Sequence, residues 1–481
     1  MSSSHEYQSK IDFGKLPQVA GLCSLEEATR PGLAVDVCVE RLKRIHYSFH
    51  RIWNIFVSRL TAEPIYELKM CFSHHSHLCA EKISAIRDRV AEMRHPPLGL
   101  EKIPDNHLEA FYDEILSAPE THQLIIGIYK CALPKLKDAA KLHLQETHPL
   151  ADAPSRRILT SMISDIEDMV TCGNDMISAF NAHIINDFEL KDWEGTLGCF
   201  LSCAGGILGN ESKPEAPPER KFAKSDYNYD FSPKRDIRFD DPYNMGVHAE
   251  EFLYDPSFSA KSKTLMMYFK RLREIDVPEM MASIIAESKE KPWLFHQDMT
   301  RQLWDEARHA MMGEVGFHKL KIDWPKFIKI NFTWSKELNE QLSARERHAV
   351  LWFIEQGLMS KTGKRYEWEV GKISGDALCE LFQDFDWADE VLHARIGRDW
   401  YVTDFESVDK AARFGSQCWD KVVSDWEQWE KEKLTKHRNW WPELYLEFCK
   451  ISQISPNQKE LNFSKSYRDT RADLQRISAS G

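Results

Sequence analysis

Two long blocks of the chain place apolar residues at three- and four-residue spacing, which is the spacing of one face of an α-helix. In the first block, prolines and glycines interrupt this pattern at residues 62–64, 95–99 and 148–154. Such residues end helices, so the segments between them are separate helical elements. The pattern predicts four helices, near residues 37–60, 65–94, 108–146 and 155–185.

The second block runs from about residue 262 to residue 404 and follows a stretch of a different kind. Residues 204–256 contain paired glycines, many charges and several prolines, which favours a connector over regular structure. Four more helices are predicted, near residues 265–288, 296–315, 344–359 and 375–401. After residue 404 the chain has a Trp-rich helical stretch and then a polar terminus from residue 455.

These patterns predict an all-α protein in which one four-helix bundle follows another. The length of 481 residues also favours two domains, because a single hydrophobic core rarely serves so long a chain. The predicted divisions are an N-terminal extension (1–34), a first helical bundle (35–190), an irregular connector (191–260), a second helical bundle (261–404) and a Trp-rich tail with a polar terminus (405–481).

Composition narrows the choice of partners. The formal charge of −12 argues against a general nucleic-acid surface, because neutralising phosphates requires clustered Lys and Arg. Eleven cysteines without a regular framework fit reduced thiols rather than disulfides. No apolar run is long enough to span a membrane, and the first residues lack the features of a signal peptide. We therefore expect a cytoplasmic protein with no nucleic-acid or membrane partner.

The second bundle contains a repeated motif, Asp-Glu-x-x-His-Ala-x-x-Gly, which begins at Asp305 and again at Asp389. Residues three apart on a helix lie on one face, so each Glu-x-x-His presents a carboxylate and an imidazole to the same point. The two pairs are Glu306 with His309 and Glu390 with His393. Two such pairs, with one more Glu from each of two other helices, form the dinuclear carboxylate site of some four-helix bundles.

The two further glutamates follow from helical position. Glu355 lies on the apolar face of the third predicted helix and is the expected ligand there. On the first helix both Glu274 and Glu279 qualify. Glu274 shares the apolar stripe, whereas Glu279 points to the opposite side, so we choose Glu274. Pro278 removes the helix bond to the carbonyl of residue 274, which predicts a kink at this ligand.

The aspartate that begins each motif is expected outside the metal shell. A metal-bound histidine usually donates its second ring N–H to a carboxylate, which fixes its tautomer and orientation. Crossed pairs, Asp305 with His393 and Asp389 with His309, would provide this. The first bundle has no Asp-Glu-x-x-His motif, so residues 35–190 are expected to carry no metal ligands.

With these motifs, residues 262–404 resemble the ferritin-like di-iron carboxylate superfamily, and in particular its oxygen-activating oxidoreductases and its families without an assigned reaction. The resemblance implies a ferritin-like bundle that holds two iron ions, with manganese in one or both positions in some members. It implies bridging roles for Glu306 and Glu390, terminal roles for Glu274 and Glu355, and His309 and His393 bound one to each metal.

The function expected from this resemblance is an oxidoreductase, a non-haem di-iron enzyme that activates O₂ to oxidise an organic substrate. The chain carries no flavin or iron–sulfur motif, so an external electron donor is also expected. One alternative is a ferroxidase or a peroxide-removing protein of the same superfamily. A different class is a scaffold or interaction protein with a structural metal. A homodimer, with the first bundle at its interface, is left open, as are the substrate and the choice between iron and manganese.

Overall fold

The computed structural model is all-α, as the sequence predicted, and its described residues form no β-strand. It describes residues 8, 10–93, 99–181, 187–214, 216–239, 241, 244, 246–330, 333–359, 363–422, 431–434 and 438–467. The predicted polar terminus beyond residue 467 and residues 423–430 and 435–437 of the Trp-rich stretch lie outside this set. Within the described ranges, no helix combines the length and the apolar character that crossing a bilayer requires.

The chain divides into two compact units. The first contains residues 1–52 and 81–227, and the second contains residues 53–80 and 228–481. The predicted first bundle therefore contributes to both units. Its first two long helices each change unit along their length, because residues 53–80 comprise the end of one helix and the beginning of the next.

One predicted helix of the first unit is interrupted at two places. The segment predicted as one helix over residues 108–146 forms three separate α-helices. The first break precedes Pro119, which restricts the backbone of the residue before it. A π-helical turn, Gly127–Ala132, forms the second break. The helices are α1 (Leu25–Ala28), α2 (Val35–Arg59), α3 (Tyr66–Glu92), α4 (Asn106–Leu116), α5 (Thr121–Ile126), α6 (Leu133–Glu146), α7 (Ala153–Asn181) and α8 (Asp187–Cys203).

The second unit contains the helices of the repeated motif. Its helices are α9 (Ala249–Tyr254), α10 (Ala260–Arg273), α11 (Asp276–Glu287), α12 (Trp293–Lys319), α13 (Thr333–Gln341), α14 (Ala344–Leu358), α15 (Lys364–Ser374), α16 (Ala377–Trp400), α17 (Val408–Val422), α18 (Trp441–Ser452) and α19 (Gln458–Leu461). Four of them form a closed ring, since α11 packs on α12, α12 on α16, α16 on α14, and α14 on α11. Helix α10 extends the ring and packs on α12 and α15.

The predicted kink in the first helix of this ring is a full break. Helix α10 ends at Arg273, and α11 begins at Asp276 with Pro278 in its first turn. Proline is tolerated in a first turn, where the missing N–H has no intrahelical acceptor, but not in the interior of a continuous helix. Glu274 is therefore at the break itself, and its side chain leaves the end of α10 rather than the middle of a helix.

The glycine four residues after each motif histidine allows the motif helices to approach their neighbours closely. A Cβ at Gly313 would lie 2.4 Å from the backbone nitrogen of Leu272 on α10. A Cβ at Gly397 would lie 2.3 Å from the Trp352 ring on α14. Each motif helix thus packs against its partner through a position that only glycine fits.

We expect Gly313→Ala to lower the free energy of unfolding by about 1–3 kcal/mol, because the added methyl group meets backbone that cannot rotate away. Gly195→Ala is the matched control. Gly195 is also inside a helix, with nothing within 4 Å of an added Cβ, so alanine should be neutral or stabilising by roughly 0.5–1 kcal/mol. Chemical denaturation followed by circular dichroism measures both. Equal stability of the two variants would contradict the close approach of α10 and α12.

Candidate metal centre

The six predicted ligands come together in the second unit and form two adjoining clusters, which a seventh side chain completes. In each cluster, every side chain offers one ligand atom, and these atoms lie within 4.8 Å of one another. The first cluster, cluster A, contains Glu306, Glu355, Glu390 and His393. The second, cluster B, contains Glu274, His309 and Asp386. All seven side chains are buried except Glu274, which is partly buried.

Glu306 lies between the two histidines and joins the clusters. Its Oε1 is 3.1 Å from the Nδ1 of His393, and its Oε2 is 3.6 Å from the Nδ1 of His309. The two imidazole rings face this carboxylate with their centroids 5.9 Å apart. One carboxylate with an oxygen toward each imidazole is the arrangement that a bridging ligand requires.

The outer ring nitrogen of each histidine faces the aspartate of the other motif. The Nε2 of His309 lies 3.1 Å from Asp389, and the Nε2 of His393 lies 3.4 Å from Asp305. Arg308 contacts both aspartates and so holds the two motifs together at this outer layer. Because each Nε2 is engaged outside, each Nδ1 is directed toward the clusters.

Glu390 does not mirror Glu306. Its Oε2 is 3.5 Å from His393, within cluster A, but its Oε1 lies 2.7 Å from the ammonium group of Lys364. The family resemblance implies that Glu390 bridges two metals. In this arrangement the second oxygen of Glu390 contacts Lys364 instead of cluster B. Asp386, one turn before Glu390 on α16, occupies the corresponding place beside His309, at 3.4 Å.

Two buried cations accompany the carboxylates. Lys364 lies 2.8 Å from Asp386 as well as contacting Glu390. Arg271 contacts Asp386, and it lies 2.9 Å from Glu274. Most of these cation contacts are with Glu274 and Asp386, which belong to cluster B. Cluster A has a single contact of this kind, the one between Glu390 and Lys364.

The charges of the site do not balance. The five carboxylates of the two clusters and the two cations sum to a formal charge of −3 when all are ionised. Burying uncompensated charge is very costly. Bound protons can offset this cost, and bound divalent cations can do the same.

The pKa values of three ligands show this demand for positive charge. Burial lowers the pKa of His309, but its contacts with Asp389, Glu274 and Glu306 outweigh burial and raise it to about 10. The pKa of His393 is raised in the same way by Asp305, Glu306 and Glu390. Burial, and then the charge of Glu390, raises the pKa of Glu355 well above its usual range.

Every member of the two clusters also has a buried polar atom that forms no hydrogen bond with any residue that the structure describes. These atoms are Oε2 of Glu274, Oε1 of Glu306, Nδ1 of His309, Oε2 of Glu355, Oδ2 of Asp386, Oε2 of Glu390 and Nδ1 of His393. Buried polar groups in proteins are normally satisfied, and an unsatisfied one costs about 1–3 kcal/mol. Oxygen and imidazole donors suit borderline-hard divalent cations such as iron and manganese, so this donor set fits them.

Glu279, the alternative ligand on the first helix, lies in a different cluster. It is fully buried between Lys69 at 2.6 Å and Arg235 at 2.8 Å, and Ser335 donates a hydrogen bond to it. Lys69 belongs to α3, within residues 53–80 of the second unit. This carboxylate is therefore already neutralised by side chains, whereas Glu274 faces His309 at 3.4 Å.

Sequence reasoning missed Asp386, Lys364 and Arg271. Asp386 had a signal, because it precedes Glu390 by four residues and so shares its helix face. Lys364 and Arg271 had none, since no motif connects them with the ligands and they reach the site from α15 and α10 through tertiary packing.

Comparisons with protein-family models, with curated proteins and with solved structures found no match for this chain. The geometry of the two clusters is therefore what indicates a function for this chain.

Glu274→Ala and Glu279→Ala should have opposite effects. Glu274→Ala is expected to reduce metal affinity strongly with a small change in stability, because Arg271 keeps its contact with Asp386. Glu279→Ala should leave metal binding intact but lower the free energy of unfolding by about 3–5 kcal/mol, because it removes the buried carboxylate that both Lys69 and Arg235 contact. Metal titration and chemical denaturation measure the two quantities.

If Glu279→Ala does not fold, Glu279→Gln provides the comparison, because the amide retains a hydrogen-bond acceptor. Loss of metal from the Glu279 variants with retention by Glu274→Ala would show that the first-helix ligand is assigned wrongly.

Proposed function

We propose that clusters A and B hold two divalent metal ions in a ferritin-like bundle and that the protein is an oxidoreductase that uses O₂ to oxidise an organic substrate. Iron is the metal we favour, with manganese as the alternative in one or both positions. The observation that carries the proposal is Glu306, a buried carboxylate with one oxygen directed to each of two inward-facing imidazoles.

The residues available for two ions are unequally distributed. Cluster A supplies three carboxylates and an imidazole, and cluster B supplies two carboxylates and an imidazole, with Glu306 shared between them. Arg271 and Lys364 neutralise much of cluster B. We therefore expect cluster A to bind its ion more tightly, and cluster B to bind the ion that is lost first.

When bound, ferrous ions would supply electrons and open coordination positions for the reduction of O₂. The chain supplies the surroundings. Asp305 and Asp389 hold the imidazoles in one orientation. Lys364 places its side-chain nitrogen 2.7 Å from Glu390 Oε1, and burial raises the pKa of Glu355 well above its usual range. These two groups put hydrogen-bond donors among the buried carboxylates of cluster A.

A second candidate function is favoured by Arg271 and Lys364. Both cations are buried, and their contacts with Asp386 give part of the site a salt-bridge core of the kind that can exist without metal. A scaffold protein would need no more than this. Four buried atoms of cluster A form no hydrogen bond with a described residue, and this favours the metalloenzyme instead.

The test is O₂ uptake by protein loaded with Fe²⁺ under anaerobic conditions. We expect O₂ consumption with oxidation of the iron in the wild-type protein, and loss of both in His309→Gln. The matched control is His296→Gln. His296 is also buried on α12 but belongs to neither cluster, so this variant should behave as wild type.

The outcomes separate the candidate functions. Oxidation that stops after the bound iron is used, and resumes only with added reductant, supports the oxidoreductase. Continued oxidation of excess Fe²⁺ without any organic substrate would identify a ferroxidase. Iron that remains ferrous in air, or wild-type protein that binds no iron, would leave the scaffold as the better account.

A further inference from the structure

A third cluster of metal-ligand type lies in the first unit, separate from the proposed di-metal centre. It consists of Cys38, His143 and Asp152, each of which offers one ligand atom within 4.8 Å of the others. Cys38 is near the start of α2, His143 is in the last turn of α6, and Asp152 immediately precedes α7. All three side chains are buried, with exposures of 2%, 0% and 7%.

The burial of His143 without hydrogen bonds is the observation that decides in favour of a site. It is completely buried, and neither of its ring nitrogens has a hydrogen-bond partner among the described residues. A neutral imidazole has one N–H donor and one acceptor nitrogen, and leaving such groups without a hydrogen bond in the interior is destabilising. A cation bound between Cys38, Asp152 and His143 would give one of these ring nitrogens a partner.

The other two members are held in position as ligands usually are. Asp152 lies 2.9 Å from Arg89 and accepts hydrogen bonds from Ser155 and Thr147. Thr147 also lies 3.6 Å from the Sγ of Cys38, so one hydroxyl group orients both. Ligating carboxylates and thiolates are typically supported by such outer hydrogen bonds, which fix their direction.

We propose that Cys38, His143 and Asp152 form a mononuclear zinc site in the first unit. Sulfur, imidazole and carboxylate donors match the ligand set of Zn²⁺, whereas calcium and magnesium require oxygen donors throughout. Zinc–ligand bonds of about 2.0–2.3 Å place tetrahedral ligands roughly 3.5 Å apart, so small side-chain rotations close the present gaps. Three protein ligands leave the fourth position for water.

This site departs from the expectation that residues 35–190 carry no metal ligands. No feature of the sequence connects the three residues, because they come from different parts of the chain and no metal-binding motif contains them. The turn between α6 and α7 brings His143 and Asp152 together, and the packing of the unit adds Cys38.

Cobalt provides a test that the di-metal centre cannot imitate. Co²⁺ bound to a thiolate absorbs in the near ultraviolet by charge transfer from sulfur, and clusters A and B contain no cysteine. We expect this band when the full chain is titrated with Co²⁺, and we expect Zn²⁺ to abolish it by displacement. Cys38→Ser should remove the band, and His143→Gln should weaken cobalt binding at this site by more than about tenfold.

Two matched controls come from the same unit. Cys203→Ser changes another buried cysteine, and His46→Gln changes another buried histidine with two unpartnered nitrogens, but neither residue belongs to the cluster. Both variants should keep the band at wild-type intensity. The proposal is overturned if wild-type protein saturated with Co²⁺ has no sulfur-to-cobalt band, or if the band persists in Cys38→Ser. If Cys38→Ser fails to fold, His143→Gln takes its place, and a band of wild-type intensity and affinity in that variant would overturn the proposal.

Discussion

The second unit is organised around the cost of burying five carboxylates at one place. Neither hydrophobic packing nor the two nearby cations, Arg271 and Lys364, can offset their negative charge completely. The remaining need for positive charge raises the pKa values of His309 and His393. It also accompanies buried polar atoms in both clusters that form no hydrogen bond with a described residue. We propose that divalent metal ions meet this need for positive charge, and the ring of helices α11, α12, α14 and α16 brings together the side chains that would bind them.

The packing of the helices and the chemistry of the site depend on the same short motif. Each Glu-x-x-His places its ligands on the inner face, the preceding aspartate engages the histidine of the opposite helix, and the following glycine lets the helix approach its neighbour. Moving either helix by one residue would separate these contacts. The motif therefore specifies the register of α12 and α16 as well as the composition of the site.

Much of this could be predicted from the sequence because helical periodicity is a local property. The all-α class and the positions of Glu306 and His309 on one face follow from spacing alone. The positions of Arg271 and Lys364 do not, since they depend on which helices pack together. The break at Glu274 was only partly predictable: Pro278 indicated a disturbance, but the restart of the helix at Asp276 depends on the packing of α10 and α11 against α12.

The central claim is that two metal ions, rather than Lys364 and Arg271 alone, complete the buried carboxylate site. Anomalous diffraction at the iron absorption edge, from crystals of the iron-loaded protein, tests it most directly. The account predicts two peaks in the second unit, the stronger within cluster A and the weaker within cluster B, with Glu306 between them. An iron-saturated crystal with no peak in either cluster, and with the carboxylates paired only to lysine and arginine, would contradict it.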